Sequence, residues 1–171
     1  MTLIFAPITT PRLFLRPLRR CDLSAVFRIL SCPITTKDVS WRQHGLEDTE
    51  RWLQRRIEDE ARYCFCMLAM ELDNREVVGL CGFFIGTDES LELGYVVHYL
   101  YQSQGLASEA ASAVMMVAKD AGRSVFATIR RNNYASIKVC EKVGLRRTHE
   151  VVPKRPELLM FRWPPPGGSS K

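Results

Sequence analysis

Leu91-Glu92-Leu93-Gly94-Tyr95-Val96-Val97, continuing through His98-Tyr99-Leu100-Tyr101 to Gln102-Ser103-Gln104-Gly105-Leu106-Ala107-Ser108-Glu109-Ala110, is the stretch on which the fold turns. Residues 91–97 are rich in the aliphatic and aromatic types that favour strands. The segment after them is short, polar in its second half, and holds Gly105. Residues 107–121 are dominated by alanine, methionine and valine, good helix material, and Gly122 ends the run. A strand therefore enters a glycine-containing loop that opens a long helix. The first N–H groups of a helix lack internal partners, and the helix dipole adds positive character there, so such a junction can hold an anion. Gly105 lets the backbone approach a phosphate closely. A plain strand-to-helix connection fits the same residues. No Gly-Lys-Ser/Thr follows, which excludes a Walker loop, and the glycines are too few for a dinucleotide fingerprint.

Upstream, the signals are those of strands. Residues 77–85 form an apolar run containing Gly79 and Gly82, and Gly86-Thr87-Asp88 turns the chain toward residue 91. Residues 63–70 read as the strand before it, ending near the turn pair Asp73-Asn74. Two turns of this kind imply antiparallel hairpins. Further back, Asp22 is placed to cap a helix with Leu23, Val26, Phe27 and Leu30 at helical spacing, and Pro33 is expected to stop it. Residues 47–61 form a second amphipathic helix, and Leu13-Phe14-Leu15 a short first strand. Downstream, residues 125–129 read as strand, 134–143 as a helix closed by Gly144, and 145–152 and 157–163 as a last strand pair. Strand, helix, strand and helix in succession imply a parallel β-α-β unit beside antiparallel strands. The expected class is α+β, a mixed central sheet flanked by helices.

The chain has 171 residues, a length that fits one domain, expected over 1–163. The tail 164–171, Pro-Pro-Pro-Gly-Gly-Ser-Ser-Lys, has nothing to bury and is expected to be disordered. Hydrophobic residues make up 46% and charged residues 25%, enough for a core that needs no disulfide or metal. Cys21, Cys32, Cys64, Cys66, Cys81 and Cys140 are expected as reduced thiols, because they fall in apparent helices and strands and no secretory leader precedes them. Cys64 and Cys66, two apart in the expected strand, would share one face. They lack a second pair at zinc spacing, so no metal is expected. No run approaches the ~20 apolar residues of a membrane span, and a cytoplasmic location is expected. The net charge of +5 suits an anionic ligand but is too small to indicate nucleic acid.

Several motifs together resemble one family. Gln102-x-x-Gly105-x-Ala107 is similar to the Gln/Arg-x-x-Gly-x-Gly/Ala motif of the GNAT N-acetyltransferases. Downstream, Asn133-x-x-Ser136 and Cys140-Glu141-Lys142-Val143-Gly144-Leu145 resemble that family's Asn-x-x-Ser/Ala and Glu-Lys-x-Gly-Phe segments. The opening Thr10-Pro11-Arg12-Leu13-Phe14-Leu15-Arg16-Pro17 and Leu93-Gly94-Tyr95 resemble its RimJ/RimL-like branch, which includes acetyltransferases of ribosomal-protein N-termini. The resemblance runs from about Pro11 to Trp163.

The resemblance implies a GNAT fold and an acetyl-CoA-dependent transfer of acetyl to an amine. Gln102, Ser103, Gln104, Gly105, Leu106, Ala107 and Ser108 would hold the coenzyme A pyrophosphate. Val96 and Val97 would pair with the pantetheine arm, a form of edge pairing, and Asn133 would bond it from the other side or cap the following helix. Arg130, Arg131, Lys138 and Lys142 lie where phosphates can be met. Direct attack by the amine needs a base, an oxyanion donor and an exit for the thiolate. Glu92 is the candidate base, and a backbone N–H near Val97 the oxyanion donor. Cys140 stands where relatives often carry a tyrosine acid, so Ser136 is the expected donor, ahead of Tyr134, Tyr99 and Cys140. A thiol of pKa ~8.5 leaves with little help, so no covalent acyl-cysteine step is required.

The acceptor groove would involve Trp41, Arg42, His44, Trp52, Arg55 and Arg56. An α-amine of pKa ~7.7–8.0 is easier to deprotonate than a lysine at ~10.4, which favours a peptide or protein N-terminus. The alternatives are a small-molecule acceptor such as an antibiotic, amino acid or polyamine, or a non-catalytic acyl-CoA sensor. Relatives occur as monomers and homodimers.

Overall fold

The computed structural model describes residues 7–64, 66–85 and 90–164. Strands β1 (Ile8–Thr9) and β2 (Phe14–Pro17) lead through a 3-10 turn (Arg20–Asp22) into helices α1 (Leu23–Leu30), α2 (Pro33–Thr36) and α3 (Leu46–Tyr63). Strands β3 (Met67–Glu71), β4 (Val77–Ile85) and β5 (Leu91–Val97) follow, then helix α4 (Leu106–Asp120), β6 (Val125–Arg130), α5 (Tyr134–Lys142), β7 (Arg146–Val151) and β8 (Leu158–Trp163). The strands join in one sheet of order β1-β2-β3-β4-β5-β6-β8-β7. Every neighbouring pair is antiparallel except β5 with β6. This is the mixed α+β arrangement expected of a GNAT fold.

Alternation along the strands divides the core between two faces. In β3, Leu68 and Met70 join the cluster with α4 and α5, whereas Met67 and Ala69 join the cluster with α1 and α3. On α4, Leu106, Ala110, Ala111, Val114, Met115 and Ala118 are buried, a run at helical spacing that its alanine-rich sequence supplies. On the opposite face, α1 buries Val26, Ile29 and Leu30, and α3 buries Leu53.

Four expectations are corrected. Pro33 does not merely stop α1; it occupies the first turn of α2, where its missing N–H costs nothing. Residues 63, 64 and 66 are not strand, and residue 65 lies outside the described residues. Tyr63 ends α3, and Cys64 closes it in the left-handed conformation, at φ 57°. Cys64 and Cys66 therefore do not share a strand face. Asp22 makes no side-chain cap on α1. It accepts two bonds from the buried Arg16, from Nη1 and Nη2, both at 2.9 Å. The turn 86–88 and most of the tail 164–171 lie outside the described residues.

All six cysteines are free. Burial pushes the Cys66 thiol up to about 12 and raises that of Cys81 further. Among the described residues, no helix is long and apolar enough to cross a membrane, and no cluster of His, Cys, Asp and Glu could hold a metal ion.

Candidate active site

The site begins where two strands part. β5 and β6 pair only at Leu91↔Val125 and Glu92↔Phe126. β6 then continues against β8 as far as Arg130, and the rest of β5 is left with an open edge. The Leu91 N–H donates toward β6, to the Ser124 carbonyl at 3.0 Å, while the His98 N–H donates toward β4, to Val78 at 2.8 Å. Main-chain groups alternate sides along a strand. The N–H groups of Leu93, Tyr95 and Val97 therefore face the gap. The Gln102 side-chain amide donates to the Val97 carbonyl at 2.8 Å and ties the following loop to this edge.

That loop delivers the N-terminus of α4. Ser103 and Gly105 both take positive φ, 62° and 81°. No side chain caps the helix. Glu109, in its first turn, is instead taken up by the N-terminal segment. Thr10 Oγ1 and the Arg12 N–H donate to Glu109 Oε1 at 2.7 and 2.9 Å, and Arg12 Nε donates to Oε2 at 2.7 Å. Arg12 Nη1 also donates to the Gln104 carbonyl at 2.7 Å, pinning the loop from outside.

A cavity of about 620 Å³ joins these parts and passes through the gap in the sheet. On the α4–α5 face it is lined by Ser103, Gly105, Leu106, Ala107, Ser108, Asn133 and Ser136, and on the α1–α3 face by Trp41, Phe84, Glu92 and Thr128. Uncapped helix N–H groups, serine hydroxyls and a free strand edge form a donor set that fits an extended anionic ligand.

Glu92 and Thr128 stand on the α1–α3 face. Thr128 Oγ1 donates to Glu92 Oε1 at 2.8 Å. Burial raises the Glu92 carboxyl above the usual range, offset in part by that hydrogen bond and by the charge of Arg155. Asp38 also lines the cavity, from the loop after α2.

On the other face, Asn133 caps α5, its Oδ1 accepting from the Ser136 N–H at 3.1 Å. Ser136 lines the cavity. The Tyr95 hydroxyl donates to the Ser136 carbonyl at 3.1 Å and lies 3.9 Å from Cys140 Sγ. A tyrosine hydroxyl thus sits beside residue 140 after all, carried by the strand and not by the helix. Burial pushes the Cys140 thiol up to about 12, which makes it a poor proton donor, and raises the Tyr95 phenol as well.

The cavity brings together Glu92, Val96, Val97, Gln102, Ser103, Gly105, Leu106, Ala107, Ser108, Asn133 and Ser136. Gln104 stands apart, lining a separate hollow with Arg12 and Tyr101. Tyr134 reaches the cavity rim, but Tyr99 does not line it. Of the basic residues, Arg130 lines the cavity, whereas Lys138 and Lys142 are exposed outside it and Arg131 bonds the Pro156 carbonyl at 3.3 Å. Trp41 lines it, with Trp52 stacked behind; Arg42, His44 and Arg55 are exposed elsewhere. The sequence reading missed Phe84, Tyr95 and Thr128. Strand alternation carried the signal for two of them, since Phe84 faces Glu92 across the β4–β5 hairpin and Thr128 lies two positions beyond Phe126, the β6 partner of Glu92.

A mixed sheet opened at a parallel pair, with a helix N-terminus aimed at the opening, is the architecture of the acetyltransferase class to which the chain is matched. The acetyltransferase (GNAT) domain model matches residues 12–146, and the chain belongs to that family. As a GNAT N-acetyltransferase it is an acyltransferase whose acetyl donor is acetyl-CoA. It is 29% identical over 143 residues to the uncharacterized N-acetyltransferase YnaD of Bacillus subtilis, covering 82% of each chain. The fold is similar to that of an acetyltransferase from Agrobacterium tumefaciens, with a TM-score of 0.82, 23% identity, and coverage of 95% of this chain and 96% of that one. It is also similar to an acetyltransferase from Salmonella typhimurium that modifies the N-terminal serine of ribosomal protein L7/L12, with a TM-score of 0.75, 19% identity, and coverage of 90% and 95%.

Proposed function

We propose that the protein acetylates the α-amino group of a peptide or protein N-terminus. The observation that carries this reading is Glu92, a partly buried carboxylate at the gap in the sheet, held by Thr128 and facing the side away from α4 and α5. One carboxylate of raised pKa matches an α-amine of pKa ~7.7–8.0 better than a lysine amine at ~10.4. The fold shared with the Salmonella N-terminal serine acetyltransferase is consistent with it.

Acetyl-CoA supplies an acetyl group already activated as a thioester. In this reading the N-terminus of α4, with Gln102, Ser103, Gly105, Leu106, Ala107 and Ser108, holds the pyrophosphate, and Gln104 supports the loop through its carbonyl. The open edge at Val97 pairs with the pantetheine arm, Val96, whose own main chain faces β4, lines the cavity beside it, and the free side-chain amide of Asn133 bonds the arm from α5. Glu92 takes the proton from the incoming ammonium. The Val97 N–H donates to the carbonyl oxygen, which gains charge as the new C–N bond forms and gives it up as the C–S bond breaks. Ser136 offers its hydroxyl to the departing sulfur. The six free cysteines suit a reducing, cytoplasmic setting.

The test is thiol release from acetyl-CoA in the presence of a peptide with a free N-terminus, the same peptide with its N-terminus blocked and an internal lysine free, and a set of small amines. Release with the free N-terminus, abolished by blocking it, is expected. Turnover on small amines alone would replace this reading with the small-molecule one, and cofactor binding without any turnover would leave only a sensor.

A further inference from the structure

On the acceptor face the cavity wall is aromatic. Phe84 and Glu92 are directly opposed across β4 and β5, so their side chains leave the sheet together. The Phe84 ring lies over the backbone of Gly94, where an added Cβ would stand 2.7 Å from the ring. Gly94 therefore provides the space in which the ring lies beside the carboxylate. Trp41 meets Phe84 edge-on, with centroids 5.4 Å apart, and stacks on Trp52 at 5.7 Å with the planes 7° apart. Trp41 and Phe84 line the cavity and remain partly exposed in it.

We infer that the acceptor carries a large apolar or aromatic group next to its amine, and that Trp41 and Phe84 select it. This rests on the reading of Glu92 as the base at an N-terminal amine, and narrows it to peptides whose first residue is Phe, Tyr, Trp, Leu, Ile or Met. An amine at Glu92 has beside it Phe84, the cross-strand partner of Glu92, and beyond it Trp41 in the wall of the same cavity. A large apolar side chain there removes its own surface and that of the rings from water, a gain proportional to the area covered. A first residue of serine or alanine leaves the rings wet.

Phe84 and Trp52 face a cation. The Arg56 guanidinium already stands over Phe84 at 5.1 Å and over Trp52 at 5.7 Å, braced by Asp59 at 2.8 Å. A polyamine with one amine at Glu92 would bring a second ammonium toward this charge, which argues against polyamines.

The experiment compares kcat/KM at saturating acetyl-CoA for peptides identical except for a first residue of Phe, Leu, Ser or Asp, together with phenethylamine and spermidine. Phe and Leu are expected to exceed Ser by about tenfold or more, the scale on which an apolar pocket discriminates by size. Trp41→Ala should bring the Phe-to-Ser ratio close to one, and Phe84→Leu should lower it. An intact acetyl-CoA thermal shift shows that each variant is folded. A Phe-to-Ser ratio near one in the wild type, or one unmoved in both variants, would overturn the inference and leave the N-terminal reading standing. Acetylation of phenethylamine but of no peptide, lost in Trp41→Ala, would overturn the N-terminal reading and keep the aromatic selection. Spermidine as the best acceptor, or no acetylation of any of these amines, would overturn both.

Discussion

Glu92, the proposed base, is tuned by its neighbours. Burial raises its carboxyl, while Thr128 and the charge of Arg155 pull it back. The amine must attack as a free base, so the rate should fall on the acid side as Glu92 takes up a proton, and at a higher pH than for an exposed glutamate. Thr128→Val removes a bond that favours the charged form. The acid limb of kcat/KM should then move to still higher pH, with the plateau retained; an unmoved limb would exclude Thr128 from the positioning of the base. Glu92→Gln should lower kcat by about 10²–10⁴-fold near neutrality, the usual contribution of a positioned base. The deficit should narrow as the pH passes the α-amine pKa of ~8, where solvent deprotonates the acceptor. Stability gives a control with a definite sign. A raised folded-state pKa means that the folded protein holds the proton more tightly than the unfolded chain. That stability is present at low pH and lost as the pH rises through the raised pKa. Replacing the charge by Gln should therefore not lower the melting temperature at neutral pH. A lower one would mean that Glu92 is structural and that the kinetic loss reflects unfolding.

The element of most consequence is the N-terminus of α4. Its Gly105 has φ 81°, and an added Cβ would stand 3.4 Å from the Arg12 guanidinium. Gly105→Val is strained twice, by the left-handed backbone and by β-branching, whereas Gly105→Asn tolerates that conformation. Valine should weaken acetyl-CoA binding by about tenfold or more, the cost of one to a few kcal/mol of local strain, and asparagine much less. Isothermal titration of the two variants checks this. Equal affinity in both would remove the loop from the cofactor site. The element scale also shows why legibility varies. β4 and β5 could be read to the residue because apolar runs met turn residues at their ends. The end of α3 could not, because Cys64 adopts the left-handed conformation that normally announces itself as glycine. Pro33 carried an ambiguous signal, since proline stops one helix and starts another by the same missing N–H. Asp22 had the right type for a cap, but the buried Arg16, six residues back in the chain, claimed it.

At the scale of the molecule, the strand order was the part least readable. β8 inserts between β6 and β7, a non-local choice that no turn residue encodes. The opening of β5 from β6 was likewise implied only by the motif around Gly105, because strand propensity does not say where pairing stops. What holds the α1–α3 half to the sheet is visible only in three dimensions. Arg16 on β2 donates Nη1 and Nη2 to Asp22 ahead of α1, and Nε to Glu71 on β3 at 2.6 Å. Asp22 also accepts the Arg19 N–H at 2.7 Å, so the turn into α1 hangs on the same group. All three side chains are buried, and the two carboxylates, with Asp22 the largest influence, hold the guanidinium firmly protonated. Taking the cation away leaves two carboxylates buried without their partner. Arg16→Met should cost about 3–5 kcal/mol, a large share of the ~5–15 kcal/mol that holds an ordinary domain folded. Adding Asp22→Asn should cost less than the sum of the separate changes, because it removes one of the charges already stranded. Urea denaturation followed by circular dichroism measures both. Arg16 does not line the cavity, so folded Arg16→Met should still show a thermal shift with acetyl-CoA. A loss below about 1 kcal/mol, the range of an exposed ion pair, would mean that water reaches the triad and that the sheet, not this cluster, anchors α1.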